Sequence, residues 1–230
     1  MEEAFNPIYD QTVFLLAALV LFTSFVMLAQ TRLVNLVKLF ALQGGLLSAT
    51  TALVGFVHAT PHLFISAGLT LVLKAALIPL MLHWFIVRLG LHRQEDRVIR
   101  PLGLLLGAAS LMVFSYYIIL PAIQLSALST RNIIATSTAS FLLGMLLMIS
   151  HRQAISHVIG FMAMENALFF LAVVSTYGMP LVVELGIAFD VMVGAVIFGV
   201  FFFQIRESID SLDVDRLNRL SHLYEGEEEK

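Results

Sequence analysis

The sequence predicts an all-α membrane protein whose helices cross the bilayer several times. Of its 230 residues, 59% are hydrophobic and only 13% are charged, and the mean hydropathy is +0.92. Apolar runs of about the length that a bilayer requires recur along the chain. A soluble domain of this size could not bury so much apolar surface, so lipid must be the solvent for most of the chain.

Seven segments are apolar and long enough to span a bilayer core, which takes roughly 20 residues per helix. In chain order they lie at about 12–29, 33–57, 63–88, 101–125, 132–149, 154–176 and 180–206. Turn-forming or charged residues separate consecutive segments. Pro79 and Pro121 lie inside predicted spans, where each is expected to kink its helix.

Basic residues in the loops orient the predicted spans, because cytoplasmic loops carry an excess of lysine and arginine. With the N-terminus outside, the inner side holds nine arginines, at positions 32, 88, 93, 97, 100, 152, 206, 216 and 219, and the outer side holds only Arg131. We therefore predict an external N-terminus and a cytoplasmic C-terminus. The polar tail over 207–230 is predicted to lie on the cytoplasmic side.

Two pairs of similar segments indicate an internal repeat. ALQGGL in the second span aligns with AMENAL in the sixth, which places Gln43 opposite Glu165. The third and seventh spans align in turn, and they place Val72 opposite Asp190. A single connecting helix would bring the second copy back in the orientation of the first, as a parallel repeat. The predicted seven-helix membrane domain, 1–206, then comprises a first copy over 12–88, a connector over 101–125 and a second copy over 132–206.

Three charged residues lie near the middle of predicted spans: Lys74, Glu165 and Asp190. A charge at the bilayer centre costs roughly 2.5–3.5 kcal/mol even on the lenient insertion scale. Buried carboxyl and amino groups can exchange protons near neutral pH, so these residues are candidates for a proton or cation path. The two acids belong to consecutive antiparallel spans and could share one proton. The alternative is that the charges only hold helices together.

Other polar residues within spans have two interpretations each. Lys38 is six residues from Arg32 and can extend to the cytoplasmic interface. Glu184 is a candidate for the ion path, or it is exposed at the outer interface. His83 and His157 lie toward the cytoplasmic ends of their spans, where they could relay protons or simply hydrogen-bond in helix contacts.

Several classes of chemistry are excluded or unsupported. The chain has no cysteine, which excludes disulfides, thiolate metal sites and cysteine-held iron–sulfur clusters within it. It shows no phosphate-binding glycine loop, nucleophile elbow, metal-ligand cluster or dinucleotide fingerprint. We expect no cofactor, no metal site, no nucleic-acid partner and no catalysis by this chain alone. His92, His151 and His222 are expected at the surface.

Several motifs carry a resemblance to a known family. They are SAGLTLVLKAALIPL at 66–80, MEN at 164–166, VELGIAFD at 183–190, the arginine at 206 and SLDVDRL at 211–217. Over nearly its full length the chain resembles the component E (HyfE-type) subunits of hydrogenase-4 and related membrane-bound nickel–iron hydrogenases. Its second half is also similar to the NuoK-type subunit of respiratory complex I and to MnhC-type subunits of multisubunit cation/proton antiporters.

The resemblance implies a non-redox, multi-pass subunit of a proton- or sodium-translocating complex in the prokaryotic cytoplasmic membrane. Its implied partners are antiporter-like membrane subunits and other hydrogenase or complex I-like subunits. Glu165 and Asp190 match the acids of the second and third NuoK-type helices, with aspartate in place of the usual glutamate at the second. The first copy departs from this pattern, since Gln43 cannot titrate and Lys74 is two residues from the aligned position.

Two alternative functions stay open at this point. The chain could belong to a multisubunit Na⁺/H⁺ antiporter without redox modules, or it could be a structural assembly subunit. The sequence also does not distinguish H⁺ from Na⁺ as the translocated ion.

Overall fold

Seven helices make up the part of the chain that the computed structural model describes, which is residues 7–88, 101–119, 128–176, 185–197 and 199. The helices are α1 (Pro7–Ala29), α2 (Leu33–Val57), α3 (Pro61–Arg88), α4 (Pro101–Ile119), α5 (Leu128–Ser150), α6 (Ala154–Ser175) and α7 (Leu185–Ile197). No strand occurs within these ranges. The prediction of an all-α fold is therefore confirmed.

Helices α1 to α6 are long and apolar enough to cross a membrane, as six of the seven predicted spans require. The seventh is represented by the shorter apolar helix α7, and the rest of 180–206 lies outside the described residues. Pro121, the connector beyond Ile119 and the tail 207–230 also lie outside them. The seventh crossing, the orientation and the repeat stay predictions.

The residues up to Asp190 form one compact unit, and a second begins at Val191. Within the first unit, α2 packs against α1, α3 and α6, and α5 packs against α1, α4 and α6. Large apolar side chains such as Phe40, Leu47, Val54 and Phe170 are fully buried between these helices. Since a membrane gives little hydrophobic force between helices, close packing and polar contacts must hold such a bundle together.

Helix α3 changes its winding in the middle. It is α-helical over Pro61–Thr70, π-helical over Leu71–Leu77 and α-helical again over Ile78–Arg88. The backbone N–H of Ile78 bonds the carbonyl of Leu73, five residues earlier. Pro79, which has no N–H to donate, follows directly, and a local π turn is one way in which a membrane helix re-pairs the carbonyls that a proline frees. The predicted disturbance at Pro79 thus takes the form of a wider turn.

A glycine on α2 makes room for this wider turn. A Cβ added at Gly44 would lie 2.9 Å from both the carbonyl carbon and the Cβ of Lys74, closer than real side chains approach. At Gly45, one residue on, an added Cβ meets nothing within 4 Å. The backbone of α2 therefore touches α3 at the π-helical segment, and it can do so only because Gly44 has no side chain.

We expect Gly44→Ala to destabilise the protein by about 1–3 kcal/mol, because the added methyl must push α2 and α3 apart. Gly45→Ala is the matched control, and it should be neutral or slightly stabilising because alanine favours helix more than glycine does. Thermal unfolding of the two variants in native membranes, beside the parent chain, measures the difference. Equal melting temperatures for the two variants would show that the helices do not touch at Gly44.

Candidate functional site: a buried lysine between two carboxylates

Lys74 lies at the centre of the π-helical segment, and its side chain is fully buried. Its Nζ donates a hydrogen bond to Glu165 Oε2 on α6. The same Nζ lies 3.2 Å from Asp190 Oδ1 on α7. Three helices therefore bring one ammonium group and two carboxylates into direct contact.

The helices place these groups far from their own ends. Glu165 is eleven residues into α6, which at 1.5 Å per residue is roughly 17 Å along its axis. Lys74 is thirteen residues after the start of α3 and fourteen before its end. The prediction that Lys74 and Glu165 lie near the middle of long apolar helices is confirmed. For Asp190, on the shorter α7, it stays a prediction, and the contact among the three groups is an additional finding.

Aromatic packing covers the lysine on another side. The ring centroid of Phe169, on α6, lies 5.0 Å from Lys74 Nζ, within the range of a cation–π contact. Phe169 also touches α7, because a Cβ added at Gly186 would lie 2.4 Å from its ring. The absence of a side chain at Gly186 thus lets α7 pack on the same ring that covers the ammonium group.

Among the described residues, the charges of the cluster do not cancel when every group is ionised. Lys74 contributes one positive charge, and Glu165 and Asp190 contribute two negative charges. One proton on either carboxyl group would make the cluster neutral. Asp190 Oδ1 is buried and receives no hydrogen bond from the described residues, among which the ion pair with Lys74 compensates its charge. In a low-dielectric interior such contacts are strong and each uncompensated charge is costly.

A chain of polar side chains lies beside the cluster and crosses three helices. Asn166 Nδ2, next to Glu165 on α6, donates to Gln43 Oε1 on α2 at 3.2 Å. Gln43 Nε2 donates in turn to Ser24 Oγ on α1 at 2.9 Å. All three residues are buried, and within the described part of the chain the Oδ1 of Asn166 accepts no hydrogen bond. Sequence reasoning noted Gln43 but missed Ser24 and Asn166; the signal was the amide beside the acid in MEN.

Three of the six predicted path residues come together in the cluster, and the other three do not. His83 is exposed on α3. The Nδ1 of His157 lies 2.9 Å from the carbonyl oxygen of Gln153, the residue just before α6. Glu184 lies outside the described residues. The structure therefore gives no direct contact between either described histidine and the cluster.

Two other expectations concern Lys38 and His151. Lys38 is exposed on α2, and its extension to the cytoplasmic interface stays a prediction. His151 was expected at the surface, and this was wrong, because the ring is buried with its Nδ1 at 3.0 Å from the carbonyl oxygen of Leu147. A backbone acceptor on the preceding turn of α5 replaces the water that a surface histidine would use.

Within the described ranges, no group of three or more histidines, cysteines or acids is arranged to hold a metal ion.

An open groove of about 290 Å³ runs between α5, α6 and α7, and Glu165 lies in it. Its walls are aromatic and aliphatic, with Phe141 on α5, Phe161 and Leu168 on α6, and Phe189 on α7. Glu165 is the charged residue in this lining, and 13% of its side chain is exposed. Lys74 lies behind it, fully buried. Of the three charged groups, Glu165 is thus the one that the groove makes accessible.

The apolar helices and the buried ion cluster define a polytopic membrane protein with charge at the middle of its bundle. Neither a family model nor a solved structure matches the chain. A protein of Mycobacterium tuberculosis, the uncharacterised protein Rv0085, is 30% identical over 190 residues, which cover 80% of this chain and 84% of the relative. The chain belongs to the same family as Rv0085.

Hydrogenase-4 component E of Escherichia coli is a more distant relative. It is 24% identical over 181 residues, which cover 79% of this chain and 84% of component E. The component E of Shigella flexneri matches to the same extent. The resemblance to component E noted from the sequence is therefore confirmed as distant homology, while the likeness to NuoK-type and MnhC-type subunits stays a prediction.

We expect Lys74→Met to destabilise the protein strongly, because it leaves two buried carboxylates without their cation. Removing one partner of a buried ion pair typically costs about 3–5 kcal/mol. The triple variant Lys74→Met, Glu165→Gln and Asp190→Asn should recover most of the lost stability, since it leaves no buried charge in the cluster. The amount of the chain in native membranes and its melting temperature there are the measurements. Lys74→Met with the stability of the parent chain would contradict the buried cluster.

Proposed function

We propose that the chain is a non-redox membrane subunit of a hydrogenase complex, and that Lys74, Glu165 and Asp190 form one step of its proton or Na⁺ path. The observation that carries this proposal is the contact of one fully buried ammonium group with two carboxylates from different helices. Distant homology to hydrogenase-4 component E supports the kind of complex. The chain itself supplies neither cofactor nor bond chemistry.

The physical basis of the step is that the cluster has more than one arrangement of charge. Lys74 can pair mainly with Glu165 or mainly with Asp190, because both carboxylates touch the same Nζ. The acid that loses the cation then needs a proton or another cation, since an unpaired charge in low dielectric is costly. A small displacement of the ammonium group toward one carboxylate would therefore leave the carboxylate on the other helix in need of a cation.

Membrane context explains why such a cluster would be retained. Ionisable residues inside membrane spans are expensive and usually mark ion or proton paths. A purely structural cluster would need only as many acids as bases, whereas this one has an excess acid. The excess is the feature that gives the cluster a site for a transported cation.

We expect Glu165→Gln and Asp190→Asn each to leave the complex assembled, because an amide is nearly isosteric and costs less to bury than a charge. Each should lower ion uptake per turnover several-fold while changing electron transfer much less. The double variant should be little worse than the worse single variant, because residues that act as one unit are non-additive. Ion uptake per turnover in proteoliposomes that hold each assembled complex is the measurement.

Lys38→Gln is the matched control, since it removes a charge from an exposed position on α2 and should leave ion uptake unchanged. Wild-type stoichiometry in both single acid variants would mean that the acids are structural and that the ion crosses elsewhere. A change in Lys38→Gln equal to that of the acid variants would show that the assay responds to any loss of charge.

We further expect the chain to be extracted intact only with partner subunits. Mild solubilisation followed by mass spectrometry of the co-purifying chains tests this. Hydrogenase subunits, with nickel and iron in the purified complex, are the expected result. Antiporter-like subunits without redox chains would favour the cation/proton antiporter instead, and an active isolated monomer in liposomes would contradict a subunit role.

A further inference from the structure

The groove beside Glu165 has an unusual combination of properties for a surface that meets only lipid. Its walls are Phe141, Phe161, Leu168 and Phe189, yet a carboxylate lies among them. Phe161 and Phe189 pack together with ring centroids 5.6 Å apart, so α6 and α7 are held in contact on this side. A carboxylate facing hydrocarbon alone would be among the most costly arrangements in a membrane protein.

The charge count of the cluster shows that one added positive charge would relieve this cost, either as a proton on a carboxyl group or as a cation from outside. Lys74 balances one of the two acids, so one negative charge is left over when all three groups are ionised. Lys74 and Asp190 are both buried behind, and only Glu165 is partly exposed. A compensating positive charge can therefore approach the cluster from outside through the groove, where it meets Glu165 first.

The size and polarity of the groove restrict which positively charged group can enter it. At about 290 Å³ the groove lies at the lower limit of small-molecule pockets, so it suits one or two side chains and not a whole helix. A lysine side chain matches the groove in both of its parts. Its four-carbon stem is apolar like the aromatic walls, and the compact ammonium group at its tip carries the positive charge. The ammonium could also interact with the faces of the phenylalanine rings.

We propose that the groove is the docking site for a membrane-spanning helix of a partner subunit, and that a basic side chain of this helix inserts between α5, α6 and α7 to pair with Glu165. This inference rests on the proposed function in that it requires the chain to be part of a complex. The inserted side chain makes the cluster neutral with both acids ionised. Its withdrawal leaves an uncompensated negative charge that a proton or Na⁺ would have to replace.

A photo-cross-linking amino acid placed in the groove tests the proposal in the complete complex in its native membrane. Leu168→p-benzoylphenylalanine and Leu185→p-benzoylphenylalanine are suitable, because both side chains line the groove and are 52% and 69% exposed. Leu42 on α2 and Leu102 on α4 are matched controls of 53% and 71% exposure outside the groove lining. Irradiation before solubilisation, followed by mass spectrometry of the cross-linked peptides, identifies what lies against each position.

The expected result is a cross-link from one or both groove positions to a membrane-spanning peptide of another subunit that contains lysine or arginine within its apolar stretch. The control positions should not give that peptide. In complexes that other subunit contacts keep assembled, adding Glu165→Gln should lower the yield of this cross-link at least fivefold, because the neutral amide no longer pairs with the basic side chain. Glu165→Asp, which keeps the charge, should retain at least half. Replacement of the partner's basic residue by methionine should lower the yield to the same extent as Glu165→Gln.

Other outcomes overturn the proposal. One is that cross-links form only to lipid, to another segment of this chain, to a second copy of it or to a spanning peptide without a basic residue. Another is that no adduct forms at either groove position. A yield that does not respond to Glu165→Gln would likewise reject the ion pair. The ion-uptake measurement tests the proposed function separately. A cross-link to a basic helix, together with normal uptake in Glu165→Gln, would refute the ion path alone. Reduced uptake in Glu165→Gln, together with cross-links only to lipid, would refute the docking alone.

Discussion

The burial of one ammonium group in the middle of an apolar helix bundle is the constraint on which the rest of the structure depends. Lys74 cannot reach water, so its charge must be met by protein groups. Glu165 and Asp190 meet it from α6 and α7, and the ring of Phe169 packs beside it. These contacts fix the positions of α3, α6 and α7 relative to one another at Lys74.

The surrounding backbone is shaped to permit this contact. Gly44 lets α2 press against α3 at Lys74, and Gly186 lets α7 pack on the ring of Phe169. The polar chain from Ser24 through Gln43 to Asn166 ties α1, α2 and α6 together beside the cluster. Packing of small residues and interhelical hydrogen bonds are the forces that a membrane leaves available, and the cluster lies where both are concentrated.

Much of the fold could be predicted from hydropathy, because an apolar run of bilayer length has few alternatives to a helix. The positions of Lys74 and Glu165 near the middle of their helices followed from counting residues along each predicted span. Their mutual contact did not follow, because counting gives depth but not the direction in which a side chain points around its helix. That direction depends on the local winding of α3 and on the close approach at Gly44, and neither can be deduced from composition. The burial of His151 was missed for the same reason. Its position just after the end of α5 predicted contact with water, but its side chain is buried in the core.

The π-helical segment Leu71–Leu77 has a consequence for how this chain is compared with others. A wider turn holds an additional residue, and one residue corresponds to about 100° of rotation in an α-helix. Positions before and after the segment are therefore out of phase with the regular helical count. Consider a gap-free alignment of α3 with a regular α-helix. If the aligned residues point in the same direction on one side of the segment, they point in different directions on the other side. Equivalent positions in this family are better assigned by the neighbour that each side chain touches than by their order along the chain.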